Sequence, residues 1–179
     1  TIVYKKTALA FNYLMNSLGE TKFNECMAAY YEAWKFKHPS PTDLRFIFEK
    51  TSGKNLSWFF EDLVYTKSHV DYKMSAVKMH GDSALVTVKN DGEIAAPYSI
   101  DVLREGKLID RIWIDGIPAL ELQTTRIAAQ KGDVLKVNNV QGIPEFNRNN
   151  NTIRTAGAFK KVEPYTLRPI IGVDDPETS

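Results

Sequence analysis

The sequence predicts an α+β chain in two parts, an antiparallel array of four short helices followed by an antiparallel β-sandwich. Three observations carry this. Up to about residue 68 the apolar residues recur at three- and four-residue steps, the period of a helix that buries one face. From about Val70 the period falls to two, the period of a strand. In that second part turn-forming groups interrupt the alternation at regular intervals: Gly81-Asp82, Asn90-Asp91-Gly92, Gly106-Lys107, Asp115-Gly116 and Gly132-Asp133. Short strands broken in this way read as a sandwich.

The first helix aligns Thr7, Ala8, Phe11, Leu14, Met15 and Leu18 on one face, and Gly19 suits the left-handed position that ends it. The second places Phe23, Met27, Tyr30, Tyr31 and Trp34 together and stops at His38-Pro39-Ser40-Pro41, because each proline disfavours helix for the residue before it. Ser40-Pro41-Thr42-Asp43 starts a third helix, with Ser40 as the cap, proline in the first turn and Asp43 at the positive end of the dipole. Leu44, Ile47 and Phe48 form its apolar face, and Ser52-Gly53 closes it. Asn55 is placed to cap a fourth helix that turns Leu56, Phe59, Phe60 and Leu63 inward. Strands are expected at 71–79, 83–90, 96–105, 107–115, 118–128 and 133–139, with a seventh at 152–155. The implied domains are a helical unit over 1–68 and a sandwich over 69–157. Residues 158–179 form a tail whose prolines, Pro164, Pro169 and Pro176, prevent long regular elements.

Composition narrows the functions. The 179 residues carry 23 Lys+Arg against 22 Asp+Glu, without a basic stripe, so nothing draws the chain to nucleic acid. No apolar run approaches the roughly 20 residues of a membrane span. A single cysteine, Cys26, excludes an internal disulfide and a cysteine-based zinc cluster. The chain opens without Met and enters a helical pattern at once, which predicts a piece of a longer protein.

The chemistry of hydrolysis is sparse. The three histidines, His38, His69 and His80, do not form the H-E-x-x-H pattern that sets two imidazoles and a glutamate on one helix face. Cys26 has no nearby His or basic cluster and reads as a small buried hydrophobe. Asn147-Arg148-Asn149-Asn150-Asn151-Thr152 reads as a loop or strand edge whose amides cap backbone groups. A calcium site there lacks carboxylates, since only Glu145 is near. Aromatic residues crowd the helical part, from Tyr30 to Tyr65. Helices this short leave part of that apolar surface bare, which predicts a missing partner domain.

Several ordered motifs give the crowding a context. Val3-Tyr4-Lys5-Lys6-Thr7-Ala8-Leu9 is followed by Leu18-Gly19-Glu20 with Phe23, then by Tyr30, Tyr31, Phe36, His38 and Pro39. Asp43-Leu44 and Phe48-Glu49 come next, and then Ser52-Gly53-Lys54-Asn55-Leu56-Ser57-Trp58-Phe59-Phe60. Over residues 1–66 this succession resembles the aminopeptidase N family of gluzincin zinc metallopeptidases. In that family the H-E-x-x-H helix and a third, glutamate ligand lie upstream of the tyrosine segment. The resemblance therefore implies a parent with a zinc site and a chain that itself holds no metal ligand and no general base. It assigns one residue, Tyr4, whose hydroxyl would donate to the oxyanion of the tetrahedral intermediate in the parent. Thr7 departs from the pattern, since the family has glycine there. The second part is similar to a bacterial branch of the family in which an immunoglobulin-like module ends in an N-R-x-N-N-T-like motif, matched by Asn147 to Thr152. That branch implies an envelope or periplasmic parent. The expected function is thus a non-catalytic part of a zinc-dependent aminopeptidase, partnered by the upstream catalytic domain of the same chain and, in the parent, by peptide substrate. The alternative is a scaffold or a peptide- or protein-binding module from a catalytically degenerate homologue, using an exposed strand edge. Trp113 is the main aromatic candidate for a sugar-binding role.

Overall fold

The computed structural model describes residues 2–141 and 143–157, with side chains from residue 7 onward. Three α-helices come first: α1 over Ile2–Leu18, α2 over Glu20–Trp34 and α3 over Pro41–Ser52. A six-residue π-helix over Trp58–Leu63 follows. Seven strands complete the order: β1 Tyr72–His80, β2 Ser83–Asn90, β3 Tyr98–Arg104, β4 Lys107–Ile114, β5 Leu122–Ala128, β6 Val134–Val137 and β7 Thr152–Arg154. The chain is therefore α+β, and the expected tail over 158–179 lies outside the described residues.

The fourth helix corrects the sequence expectation. Instead of an α-helix capped by Asn55, residues 58–63 wind with the wider π pitch, and Val64 N–H reaches Phe59 O five residues back. Asn55 Oδ1 does accept Ser57 N–H at 2.9 Å, as an Asx turn ahead of the helix. Consecutive residues of an α-helix fan out by about 100° each, so three in a row span half its circumference. Trp58, Phe59 and Phe60 are all buried, together with Leu63, and the π-turn accommodates that run.

The buried faces of α1 and α2 are also rotated from the expected ones. In α1 Ala10, Tyr13 and Leu14 are buried and Phe11 and Leu18 pack on the core as expected, while Thr7 and Ala8 face solvent. In α2 the fully buried residue is Cys26; Phe23 and Tyr30 pack on the core, and Met27 and Tyr31 are exposed. Gly19 is a one-residue hinge between these helices, with φ 81 and ψ 145 rather than the left-handed helical values expected of a C-terminal cap. Its carbonyl accepts Phe23 N–H at 3.0 Å and starts α2. At the other end Phe36 adopts φ 62 and is fully exposed.

α3 starts as the sequence predicts. Ser40 Oγ accepts Asp43 N–H at 3.4 Å and Asp43 Oδ2 accepts Ser40 N–H at 2.8 Å, a reciprocal capping box. Gly53 ends the helix at φ 68 and returns its N–H to Glu49 O at 2.9 Å. Ser40→Ala is expected to lower stability by about 1 kcal/mol, seen as a lower urea midpoint with an unchanged slope. An unchanged midpoint would show the cap to be energetically idle.

The strands form two antiparallel sheets, β1-β2-β5 and β4-β3-β6-β7. The register of β1 on β2 runs from Tyr72 opposite Asn90 to His80 opposite Ser83, with a shift between Met74 and Ala76. In β2, Ala84, Val86, Val88 and Asn90 are buried and alternate with half-exposed neighbours. β3 departs from alternation, because Tyr98 through Val102 are all buried. Tyr98, Ile100 and Val102 join the apolar core. On the opposite face Ser99 pairs with Trp113 and Asp101 with Arg111 across β4. Trp113 lies 6.2 Å from the Tyr13 ring of α1, centroid to centroid. The polar face of β3 is thus covered near α1 rather than left to water.

The buried charges near that face are paired, as burial of charge requires, while the Ser99 hydroxyl is buried without a partner. Arg111 Nε and Nη2 each donate at 2.6 Å to the two oxygens of Asp101, and Asn139 Nδ2 adds a third bond at 3.1 Å. Arg104 makes the same bidentate contact to Asp133, at 2.9 and 3.0 Å. It holds the Asp133 carboxyl below its usual range.

Candidate functional site

The helical part and the sheets meet along one seam. From α1, Tyr13 Oη donates to Pro97 O at 2.5 Å, and Asn12 Nδ2 to Gln141 O at 3.0 Å. Tyr13 is fully buried and its ring lies 5.0 Å from that of Trp58. Burial pushes its phenol well above the ordinary range, so it is a hydrogen-bond donor and not an acid. Sequence reasoning missed this residue, since nothing local marks a tyrosine outside the expected apolar stripe.

Beside this seam lies a groove of about 380 Å³, walled by Lys54, Asn55, Ser57 and Trp58 on one side and by Pro97, Asp115 and Gly116 on the other. Lys54 Nζ and Asp115 Oδ1 stand 3.5 Å apart across it, both well exposed. The volume is that of a small-ligand site. The polar and aromatic side chains are an indole, an amide, a hydroxyl, the Asp62 carboxylate and a solvated ion pair, with no His or Cys among the lining residues. Trp58 was legible as part of a motif; its place in a groove was not. Trp113 is half-buried beside the same seam, against α1.

A second polar centre sits where segment 143–151 crosses the start of β1. Phe146 N–H donates to Val70 O at 3.0 Å, and Met74 N–H to Asn150 O at 3.1 Å. Glu145 Oε1 accepts Tyr72 N–H at 3.1 Å and Asn138 Nδ2 at 2.9 Å, while Oε2 accepts Asn151 Nδ2. Desolvation raises the Glu145 carboxyl from 4.5 to about 7 despite these three donors. Asp71, buried alongside, is raised for the same reason. The asparagines act as the sequence predicts: Asn147 Oδ1 accepts Asn149 N–H at 3.0 Å, and Asn151 Nδ2 reaches Val137 O at 3.3 Å.

The other expected site residues are dispersed. His38 is exposed in the turn after α2, and His80 closes β1. His69 faces Glu93 at 3.3 Å, with its ring centroid 4.7 Å from that of Phe146. Cys26 Sγ donates to Phe48 O at 3.8 Å, and burial raises its thiol, the reverse of what a nucleophile needs. Among the described residues no three His, Cys, Asp or Glu gather to hold a metal ion, so these residues do not fit a zinc site. Tyr4 is in the first turn of α1, and its side chain lies outside the described residues. No described helix is long and apolar enough to cross a membrane.

No protein-family model and no curated protein sequence matches the chain. Among solved structures it is similar to the aminopeptidase A of Legionella pneumophila, solved with aspartic acid, at 16% identity and a TM-score of 0.58. That match covers 74% of this chain and 16% of the aminopeptidase, so the chain spans about a sixth of its length. It is also similar to the CARDB domain of a Pyrococcus furiosus protein, solved with di-metal ions, at 23% identity and a TM-score of 0.36, over 49% of this chain and 90% of that domain. The first likeness is one of fold.

Proposed function

We propose that this chain supplies a non-catalytic part of a zinc-dependent aminopeptidase of the aminopeptidase N family. In this reading residues 1–68 are an antiparallel helical array belonging to the catalytic region, 69–157 are an immunoglobulin-like sandwich, and 158–179 are a linker or strap. The parent sits in the cell envelope or periplasm. The ordered succession of motifs from Tyr4 to Trp58-Phe59-Phe60 carries the reading. The aminopeptidase-like fold over 74% of the chain supports it. The zinc ligands and the general base belong to an upstream domain, and H-E-x-x-H is absent from this sequence. Tyr4 is the one residue carried into the chemistry, as a phenol donor to the oxyanion.

Hydrolysis of aminoacyl anilides by the full-length parent and by the 179-residue chain tests this. The parent is expected to lose activity to a chelator and recover it with Zn²⁺. Tyr4→Phe in the parent is expected to lower kcat about 100- to 1,000-fold, the usual cost of one oxyanion donor. The isolated chain is expected to show no turnover. Turnover by the isolated chain that a chelator does not abolish would overturn the proposal. A binding module from a degenerate peptidase is the second reading, favoured by the groove at Trp58 and by β4, which has an open edge. That edge is partly blunted, since Asp110 Oδ1 takes Arg111 N–H at 2.8 Å. A parent without the H-E-x-x-H pair decides for this second reading.

A further inference from the structure

We propose that the groove between the π-helix and the end of β4 receives a basic side chain, Arg or Lys, of an extended peptide, with the Asp62 carboxylate as its counter-charge. This partner rests on the second reading of the chain, as a binding module, and gives that module its ligand class.

Charge complementarity points to a cation. Among the residues lining the groove one cation, Lys54, stands against two carboxylates, Asp62 and Asp115. Lys54 Nζ is turned to Asp115 Oδ1, at 3.5 Å, which leaves Asp62 over. Asp62 is half-buried. Its backbone carbonyl accepts Thr66 N–H at 3.3 Å and Thr66 Oγ1 at 2.5 Å. Its carboxylate forms no ion pair among the described residues. Arg45 of α3 does not serve it, since that guanidinium is bonded to Glu49 and Glu61. A half-buried carboxylate without a counter-charge gains most from a cation brought from outside.

The walls select a basic side chain over other cations. Trp58 and Asp62 lie four residues apart in the π-helix, close to one turn, so they share a face. Trp58 is 7% exposed and offers the rim of its indole. With Pro97 it makes an apolar strip on the same groove as the carboxylate. An Arg or Lys side chain has the matching layout, an apolar stem and a charged tip. A bare metal ion fits poorly, because no three His, Cys, Asp or Glu gather among the described residues. The groove, at about 380 Å³, is larger than one side chain and has room for the backbone that carries it. Asp115 directly follows β4, the open edge of its sheet, so a peptide laid beside that edge leads toward the groove.

The test is a titration of the 179-residue chain with the blocked tripeptide acetyl-Ala-Arg-Ala-amide, followed by nitrogen-15 amide and indole shifts. The comparison peptide carries citrulline, a neutral isostere of arginine. Blocking both ends leaves the side chain as the sole charge. The arginine peptide is expected to shift the Trp58 indole N–H and the Asn55 and Gly116 amides saturably. It is expected to bind about fivefold or more tighter than the citrulline peptide, the scale of one partly screened ion pair. Asp62→Asn is expected to remove that preference. Lys54→Ala frees Asp115 and is expected to tighten arginine binding about twofold or more. The citrulline comparison in the wild-type chain stays decisive if a variant fails to fold. Equal affinity for the two peptides, or weaker arginine binding after Lys54→Ala, overturns the proposal and leaves the binding-module reading standing. No shift at Trp58, Asn55 and Gly116 with either peptide up to about 10 mM overturns both.

Discussion

Gly116→Ala is expected to cost about 4 kcal/mol or more of stability, in the class of exceptional single substitutions. A Cβ at this position meets Ala95 O at 2.0 Å, Ala95 C at 2.3 Å and Ala96 C at 2.9 Å. All three are backbone atoms, so no side-chain rotation relieves the contact and the chain itself must move. That backbone is pinned from several directions. Tyr72 Oη donates to Ala96 O at 2.6 Å and accepts Ile117 N–H at 3.3 Å. Asn90 Nδ2 bridges Ile94 O at 3.0 Å and Ile117 O at 2.7 Å. Tyr13 of α1 holds Pro97 O. Moving residues 94–97 away from Gly116 thus strains the bonds they make with Tyr72 of β1, Asn90 of β2 and Tyr13 of α1. The control is Gly106→Ala. Gly106 has φ 79 and open space around its Cβ position, so its cost is the backbone term alone, about 1–2 kcal/mol. Urea denaturation of both variants separates the two causes. Equal, small losses would contradict the close approach at Gly116.

Phe59→Ala is expected to cost about 3–5 kcal/mol, the range for a large aromatic removed from a packed core. Phe59 is 1% exposed and touches rings from three directions: Phe11 at 5.2 Å, Trp58 at 5.6 Å and Phe60 at 4.9 Å between centroids. The Phe11 contact joins α1 to the π-helix beside the Tyr13–Trp58 contact, and Phe11 in turn meets Phe23 of α2 at 6.5 Å. Truncation leaves a cavity whose lining residues sit on separate elements and cannot all close inward. Phe59→Leu, which refills most of the volume, is expected to cost about 1–2 kcal/mol. The check is the difference in denaturation midpoint between the two variants. A loss below about 1 kcal/mol for the alanine variant would show that the ring does not anchor the helical cluster.

Particular residues show how much of this was legible beforehand. The strands were, because alternation and turn residues are local. The seven expected segments match β1 to β7 with ends displaced by a few residues. The largest displacement is at β5, which starts at Leu122 rather than 118. Leu120 there takes φ 67, a turn conformation that no glycine announced. The α3 start was legible because Ser40 and Asp43 satisfy each other within four residues. The rotation of α1 and α2 was not. Periodicity identifies a stripe of apolar residues, but Tyr13, with a polar tip, belongs inside only because Pro97 O waits to accept its hydroxyl proton. Likewise Ser99 and Asp101 alternate as a solvent face would, yet Asp101 is fully buried because Arg111 and Asn139 neutralise and bond it.

The polar centres divide in the same way. The asparagine run of 147–152 and the lone carboxylate of Glu145 stood out in the sequence, and their backbone-capping role followed from residue type. Asp71, 74 residues before Glu145, could not be paired with it by any local pattern; burial, with a small addition from Asp71, raises the Glu145 carboxyl.

By itself the sequence determined which segments are helical and which extended, where they turn, how α3 is capped, and that the chain lacks an H-E-x-x-H pair. Those properties depend on contacts a few residues apart, whose energies the local residue types fix. Tertiary structure alone decided which helix face is inward, the π-turn at Trp58–Leu63, the groove beside Lys54 and Asp115, the forbidden Cβ at Gly116 and the carboxyl environment of Glu145. Each of these requires a partner distant in the chain. Whether a polar atom or a run of aromatic rings can be buried is settled only when that partner arrives.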